Sequence, residues 1–193
     1  MPGTTAVFGL RYQVAADSPE GDDLGKNLAD DTEAALLAER QTAMCQLVQQ
    51  TAQTGWTSGT STAVTFGASS ETVDTGTFHD TGSNTSRVVI GKKLGWWQVG
   101  GVYAPAANTA STYIRASIGF NGAVVAGSTG GILISGAAGF VAVPSGNILV
   151  QAVSATDYVE LLGYQIAGSG TVGTGVSAPL IVSSLTAVWQ RPS

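Results

Sequence analysis

The sequence predicts a mainly β protein: an antiparallel β-sandwich or barrel over most of its length, preceded by an extended segment and one α-helix. Three observations carry this. From Ala63 onward, short apolar-alternating runs follow one another at close, regular spacing with no helical pattern between them. Between two of these runs, YIRASIGF and AVVAG, stands Asn121-Gly122, a pair that tolerates positive φ at both positions and so suits a tight hairpin. Only 11% of residues are charged, against about 25% in an average domain, and Gly alone contributes 26 of 193. Small and polar residues in that proportion suit β-rich chains that pack against copies of themselves.

With 44% hydrophobic residues and a mean hydropathy of +0.21, the chain can bury a core, which sets it apart from charge-rich disordered sequences. The net charge of −5 is uneven. Residues 1–40 hold eight acids against three bases, whereas from Glu71 onward five acids balance five bases. No basic face of the size nucleic acid needs is present. No apolar run approaches the ~20 residues of a membrane span, so no membrane insertion is expected. MPGTTAVFGLRY lacks a basic region followed by an apolar core, so no secretory leader is expected and synthesis in a cytoplasm is. The single cysteine, Cys45, excludes an intrachain disulfide and reads as a small apolar residue on a helix.

In chain order, residues 4–15 read as extended and ADSPEGDD (16–23) as a turn. A helix is predicted over about residues 22–53, rich in Ala, Leu, Glu and Gln, with Asp22 and Asp23 as N-caps at the positive end of its dipole. Its partial heptad, Leu37, Met44 and Thr51 with Leu47, is interrupted by Glu33 and Arg40. Two packings suit it: against its own domain, or against partner copies. TGWTSGTST (54–62) reads as a linker, giving an N-terminal anchor segment at 1–56 and a β domain at 57–193, with Trp56 docking on that domain.

Strands are predicted at 63–66, 87–90, 96–104, 113–120 and 123–127, then one or two within 130–143, and at 147–155, 157–168 and 178–190. Residues 71–86 form a turn-rich approach to RVVI, and GKKLG a basic turn after it. Pro144-Ser145-Gly146 signals a turn, and 168–177 an exposed Gly-rich loop. Neighbouring strand residues face opposite sides, so only one of Trp96 and Trp97 can be exposed; core packing for one and an interface for the other is expected.

An ordered set of these segments resembles the C1q/tumour-necrosis-factor-like jelly roll, in the version found in phage and bacterial proteins. The set is VDTGTFHD (73–80), SRVVI (86–90), GWWQVGGVY (95–103), YIRASIGFNG (113–122), VPSGNILVQAVSA (143–155) and LTAVWQ (185–190). The last carries a Leu-x-x-x-Trp closing pattern, and Asn147 stands where Asp is usual. FGLRYQVAADSPEGDDLGKNLADDTEAAL (8–36) is similar to the opening of minor structural and tail proteins of phages infecting actinobacteria, with Gln13 where Pro is common. The resemblance implies a homotrimer on the virion: a tail-tip or tail-fibre component, assembled in the host cytoplasm. It would be docked to other virion proteins through its N-terminal segment and would present the jelly roll to a host-surface glycan. Alternatives are a head decoration protein or capsid fibre, and a free carbohydrate-binding module. The distal loops 108–112, 128–131 and 168–175 are the candidates for host contact, without assigned residues.

No enzymatic activity is expected. Every Ser-His-Asp or Cys-His scheme must use His79, the one histidine, which reads as a turn residue making a local hydrogen bond. A glycosidase pair would have to come from Glu71, Asp74, Asp80, Asp157 and Glu160, and Glu160 reads as lying on the polar face of a strand. No cofactor is expected. The resemblance admits calcium near a trimer apex, for which Asp74, Asp80 and Asp157 are the candidate loop acids.

Overall fold

The computed structural model describes residues 3–4, 11–12, 28–33, 42–134, 141–170, 172–176 and 181–192. The chain divides into two compact units, Met1–Thr42 and Ala43–Ser193. The first contains an antiparallel pair, β1 (Gly3–Thr4) with β2 (Arg11–Tyr12), and a short helix over residues 28–33. The rest of the 4–15 segment and of the expected helix up to residue 41 lies outside the described residues.

The second unit is an antiparallel two-sheet sandwich. Its strands are β3 (Met44–Val48), β4 (Thr62–Ala63), β5 (Glu71–Asp74), β6 (Gly95–Tyr103), β7 (Ser111–Phe120), β8 (Ala123–Val124), β9 (Gly130–Leu133), β10 (Val143–Pro144), β11 (Ile148–Ala152), β12 (Val159–Ala167) and β13 (Ser184–Arg191). One sheet runs β10-β6-β13-β3-β5, with β11 also on β6; the other runs β4-β12-β7-β8, with β9 also on β7. First and last strands of the unit are therefore neighbours, as Cys45 pairs with Ala187 and Leu47 with Leu185.

β3 corrects the helix expected over residues 22–53, and with it the boundary at residue 57. Residues 43–49 carry a period-two pattern: Ala43, Cys45, Leu47 and Gln49 are buried, and Met44, Gln46 and Val48 are half-buried. Helix propensity differs by well under 1 kcal/mol per residue among ordinary side chains. Two ladders of backbone hydrogen bonds and burial of one full face outweigh it. Cys45 accordingly lies on a strand. The expected linker is part of the same unit: Trp56 N–H donates to the Val172 carbonyl (3.1 Å) and Gly59 N–H to that of Gln165 (2.9 Å).

Two other elements differ from expectation. Residues 71–74 form an edge strand: Asp74, Val73 and Glu71 pair with Cys45, Gln46 and Leu47 of β3, with a register shift that leaves Thr72 unpaired. Residues 87–90 form no regular strand: Val88 makes single bridges to His79 and Val159, and Ile90–Lys92 is a turn of 3-10 helix. Nor is the Gly-rich loop wholly exposed, since Val172 and Thr174 are buried. Residues 135–140 and 178–180, within two of the predicted runs, and residues 171 and 177 of the predicted loop lie outside the described residues.

The core forms between the sheets. Trp97, Tyr103, Phe66, Leu47, Ile114, Ile118, Leu161 and Leu185 are fully buried. Trp97 meets Phe78 edge-on at 5.1 Å, whereas Trp96 remains half-buried, as strand alternation requires. Trp56 stacks on Tyr103 at 5.8 Å, so it docks on the unit as expected. Gly163 makes that stack possible, because a Cβ there would lie 2.5 Å from Tyr103 and 2.9 Å from Trp56. Leu185 and Trp189 of the closing pattern both point into the core. At the β7–β8 hairpin, Asn121 and Gly122 have φ of 50° and 83°, the paired positive values of a tight turn matching strand twist.

A chain beginning at Ala43 therefore keeps all of the sandwich strands, while one beginning at Thr57 lacks a central strand. Thermal unfolding followed by circular dichroism should show a cooperative transition for the first and none for the second.

Candidate functional site

The acidic side chains of the sandwich are engaged in holding turns. Asp74 accepts from the N–H groups of Gly76 (3.2 Å), Phe78 (2.8 Å) and His79 (2.9 Å). Asp80 accepts from those of Gly82 and Ser83, both at 3.1 Å, and from the Asn84 amide. Asp157 accepts from the N–H groups of Val153 and Ser154 and from Asn121 Nδ2, each at 2.8 Å. The three calcium candidates thus sit at separate turns. Among the described residues, no three His, Cys, Asp or Glu side chains form a group that could hold a metal ion.

Two of these carboxylates titrate below the ordinary aspartate range. For Asp157, burial acts to raise the value, but the Asn121 amide and the Ser154 and Val153 N–H groups outweigh it. For Asp80, the Ser83 N–H, the Asn84 side chain and the Gly82 N–H lower it together, against a smaller desolvation.

The remaining candidates for chemistry are also internally satisfied. His79 is buried, with Nδ1 2.8 Å from Glu71 Oε1 and Nε2 3.2 Å from the Thr85 carbonyl, a local arrangement of the kind expected. Glu160 departs from expectation. It is buried, accepts from Ser86 Oγ at 2.6 Å and lies 3.5 Å from Arg87 Nε, whose guanidinium sits 4.0 Å over the Tyr158 ring. Cross-strand contacts with Ser86 and Arg87, which precede the bridge at Val88, bring that carboxylate under cover. Cys45 is enclosed, and burial pushes its thiol far above the ordinary range, with the Asp74 and Glu71 carboxylates adding to the effect.

What these positions leave open is a surface rather than a pocket of reactive groups. On the outward face of the six-stranded sheet, β3 presents Met44, Gln46 and Val48; β6 presents Trp96, Gln98, Gly100 and Val102; β13 presents Ser184, Thr186 and Val188. None of these positions carries a charge; the face's cation is at its Trp96 end, where Arg191 pairs with Trp96 and its guanidinium lies 6.0 Å over that ring. Register aligns Leu149, Gln98, Val188 and Met44 in one row across the sheet, and Leu149 is 60% exposed. The middle of this face holds a depression of about 470 Å³ lined by Gln98, Gly100, Val102, Pro144, Asn147 and Thr186. Asn147 lies over Gly100, its Oδ1 1.9 Å from where a Cβ there would stand, and β13 lines the depression with Ser184, Thr186 and Val188.

Of the three expected distal loops, two converge. Asn108 Nδ2 donates to the Ser169 carbonyl at 2.8 Å, joining 108–112 to 168–170 at the end of the sandwich opposite Ala43. Residues 128–131 lie apart, and Ser128 is buried with Oγ 3.0 Å from Ile118 N and 2.7 Å from the Val125 carbonyl. The sequence held no signal for the uncharged face as a unit, because its members come from four strands.

No protein-family model matches the sequence, and no curated protein matches it. Solved structures do. The crystal structure of murine APRIL at pH 5.0 aligns with a TM-score of 0.54 at 10% identity, covering 78% of this chain and 100% of that one. The murine APRIL structure at pH 8.0 gives a TM-score of 0.50 with the same identity and coverage. At this identity the likeness is one of fold. The sandwich is a tumour-necrosis-factor-type jelly roll, in agreement with the strand order of the two sheets.

Two outcomes follow. In urea titrations, stability should be level from neutral pH down to about pH 5 and fall as pH drops below the unfolded aspartate value of about 3.9 and through the lower folded values. Asp157→Asn should be less stable at neutral pH and show a flatter pH dependence. An aromatic disulfide reagent should label Cys45 only as the sandwich unfolds; fast labelling of the native protein would contradict its enclosure.

Proposed function

We propose that this chain is a non-enzymatic structural protein of a phage virion, whose jelly roll assembles as a homotrimer through the outward face of its six-stranded sheet. The observation that carries the assembly reading is that charge-poor face, with Leu149, Trp96 and Val188 uncovered or half-covered and Arg191 at its edge. A monomeric domain keeps its surface charged for solubility, so a neutral face built from small and apolar residues on several strands suits burial against copies of itself.

The virion reading is supported by the resemblance of residues 8–36 to the openings of actinobacteriophage minor structural proteins. On it, the acidic N-terminal segment docks on other virion proteins of complementary charge at the tail tip or fibre. The jelly roll projects with its 108–112 and 168–170 loops leading, since they lie at the end opposite Ala43. The task of the exposed unit is attachment to the host cell surface.

Light scattering on the full-length chain tests the assembly. The expected mass is three times that of one chain, falling to a single chain in Val188→Arg or Thr186→Arg with circular dichroism unchanged. A monomeric parent, or a trimer indifferent to both substitutions, would overturn assembly through this face.

A further inference from the structure

The outward face of the other sheet has a different chemistry. Register sets Arg115 opposite Tyr164, and Leu133 opposite Tyr113. Ile114, Ala116 and Gln165 alternate with these positions and point inward. The two tyrosine rings meet edge-on with centroids 6.0 Å apart. The Arg115 guanidinium lies 4.4 Å over the Tyr164 ring, and its Nη2 donates to Ser61 Oγ at 2.9 Å. Among the described residues Arg115 has no carboxylate partner, and its Nε is buried without an acceptor. Neither phenol hydroxyl has a hydrogen-bond partner there. Gly131, beside Tyr113, keeps that hydroxyl uncovered: a Cβ at this position would lie 2.6 Å from it.

Each feature has a cost unless something else compensates. A guanidinium held in place by a ring stack and one hydroxyl has lost rotamer freedom and part of its hydration without gaining an anion. Among the described residues it is also a cation without a carboxylate partner, in a chain whose net charge is −5. Two half-buried tyrosines expose ring surface together with hydroxyls that can donate and accept. A ligand that satisfies all three groups has an apolar C–H face, several hydroxyls and a carboxylate. We propose that this face binds an acidic saccharide, its carboxylate on Arg115 and its sugar ring against Tyr113 and Tyr164. The cluster adjoins the 108–112 and 168–170 loops, because Tyr113 lies two residues into β7 and Tyr164 three residues before the end of β12. The proposal deepens the attachment reading above and rests on it, but not on the trimer.

The test is an array of immobilised oligosaccharides that carry a carboxylate, a phosphate or sulfate ester, or no charge, probed with the full-length protein. Carboxylated sugars should bind. Arg115→Gln and Tyr164→Ala should each weaken that binding by about tenfold or more, with Arg115→Lys intermediate because it keeps the charge and loses the planar fork. Tyr113→Phe, which removes only a hydroxyl and leaves the packing, should weaken it by less. Each variant should retain the parent's light-scattering mass, which separates loss of this site from loss of assembly. Absence of any carboxylated ligand, binding confined to neutral or phosphate- and sulfate-bearing sugars, or carboxylate binding indifferent to Arg115→Gln and Tyr113→Phe would overturn the proposal.

Discussion

Pairing of the first and last strands of the jelly roll is the interaction on which the rest depends. β13 lies between β6 and β3, and its backbone groups are satisfied only when both neighbours are present. The same pairing brings Cys45 and Leu47 under the core beside Leu185 and Ala187. Nearly the whole unit lies between the two strands, so this contact closes a long loop, and loop-closure entropy opposes it until the core compensates. Folding of such a sandwich is governed by non-local contacts of this kind.

Closing the sandwich also sets how its acidic side chains are used. Carboxylates that could have served as acid, base or metal ligand instead hold the turns at the end where the chain enters. Asp74 organises the turn into His79, and Asp157 ties the β11–β12 connection to the β7–β8 hairpin through Asn121. At Asp157 the hydrogen bonds that fix the turn also stabilise the ionised form, which makes it a weak base. Glu160 and His79 are withdrawn from solvent by partners on other segments. The described carboxylates of this unit are thus engaged in turns and cross-strand contacts.

The two outward faces then differ by composition alone. One is built almost wholly from uncharged residues, with Arg191 only at its Trp96 end, and suits contact with copies of the same surface. The other carries a cation on a tyrosine pair and leaves polar groups unsatisfied, which suits a hydrated ligand. A trimer built on the first face would leave the second open on each of three sides, so weak single sites would act together. This division would let assembly and attachment proceed without competing for one surface.

Much of this was legible along the chain. Alternation and turn chemistry determine the strands of β6, β7, β12 and β13, the Asn121-Gly122 hairpin, the inward Trp97 and the closing Leu185 and Trp189, because each is a local pattern of period two or a backbone requirement of one dipeptide. The resemblance of those runs in order also indicated the jelly roll. Only the tertiary structure decided that Met44–Val48 is a strand, since its residues favour a helix locally and are overruled by two neighbours distant in sequence. It alone decided that Glu160 is buried, that the turn acids are already occupied, and that Tyr113, Arg115 and Tyr164 share one cluster. The reason is common to all of these: cross-strand contacts are set by register between segments far apart, and register is not written in either segment alone.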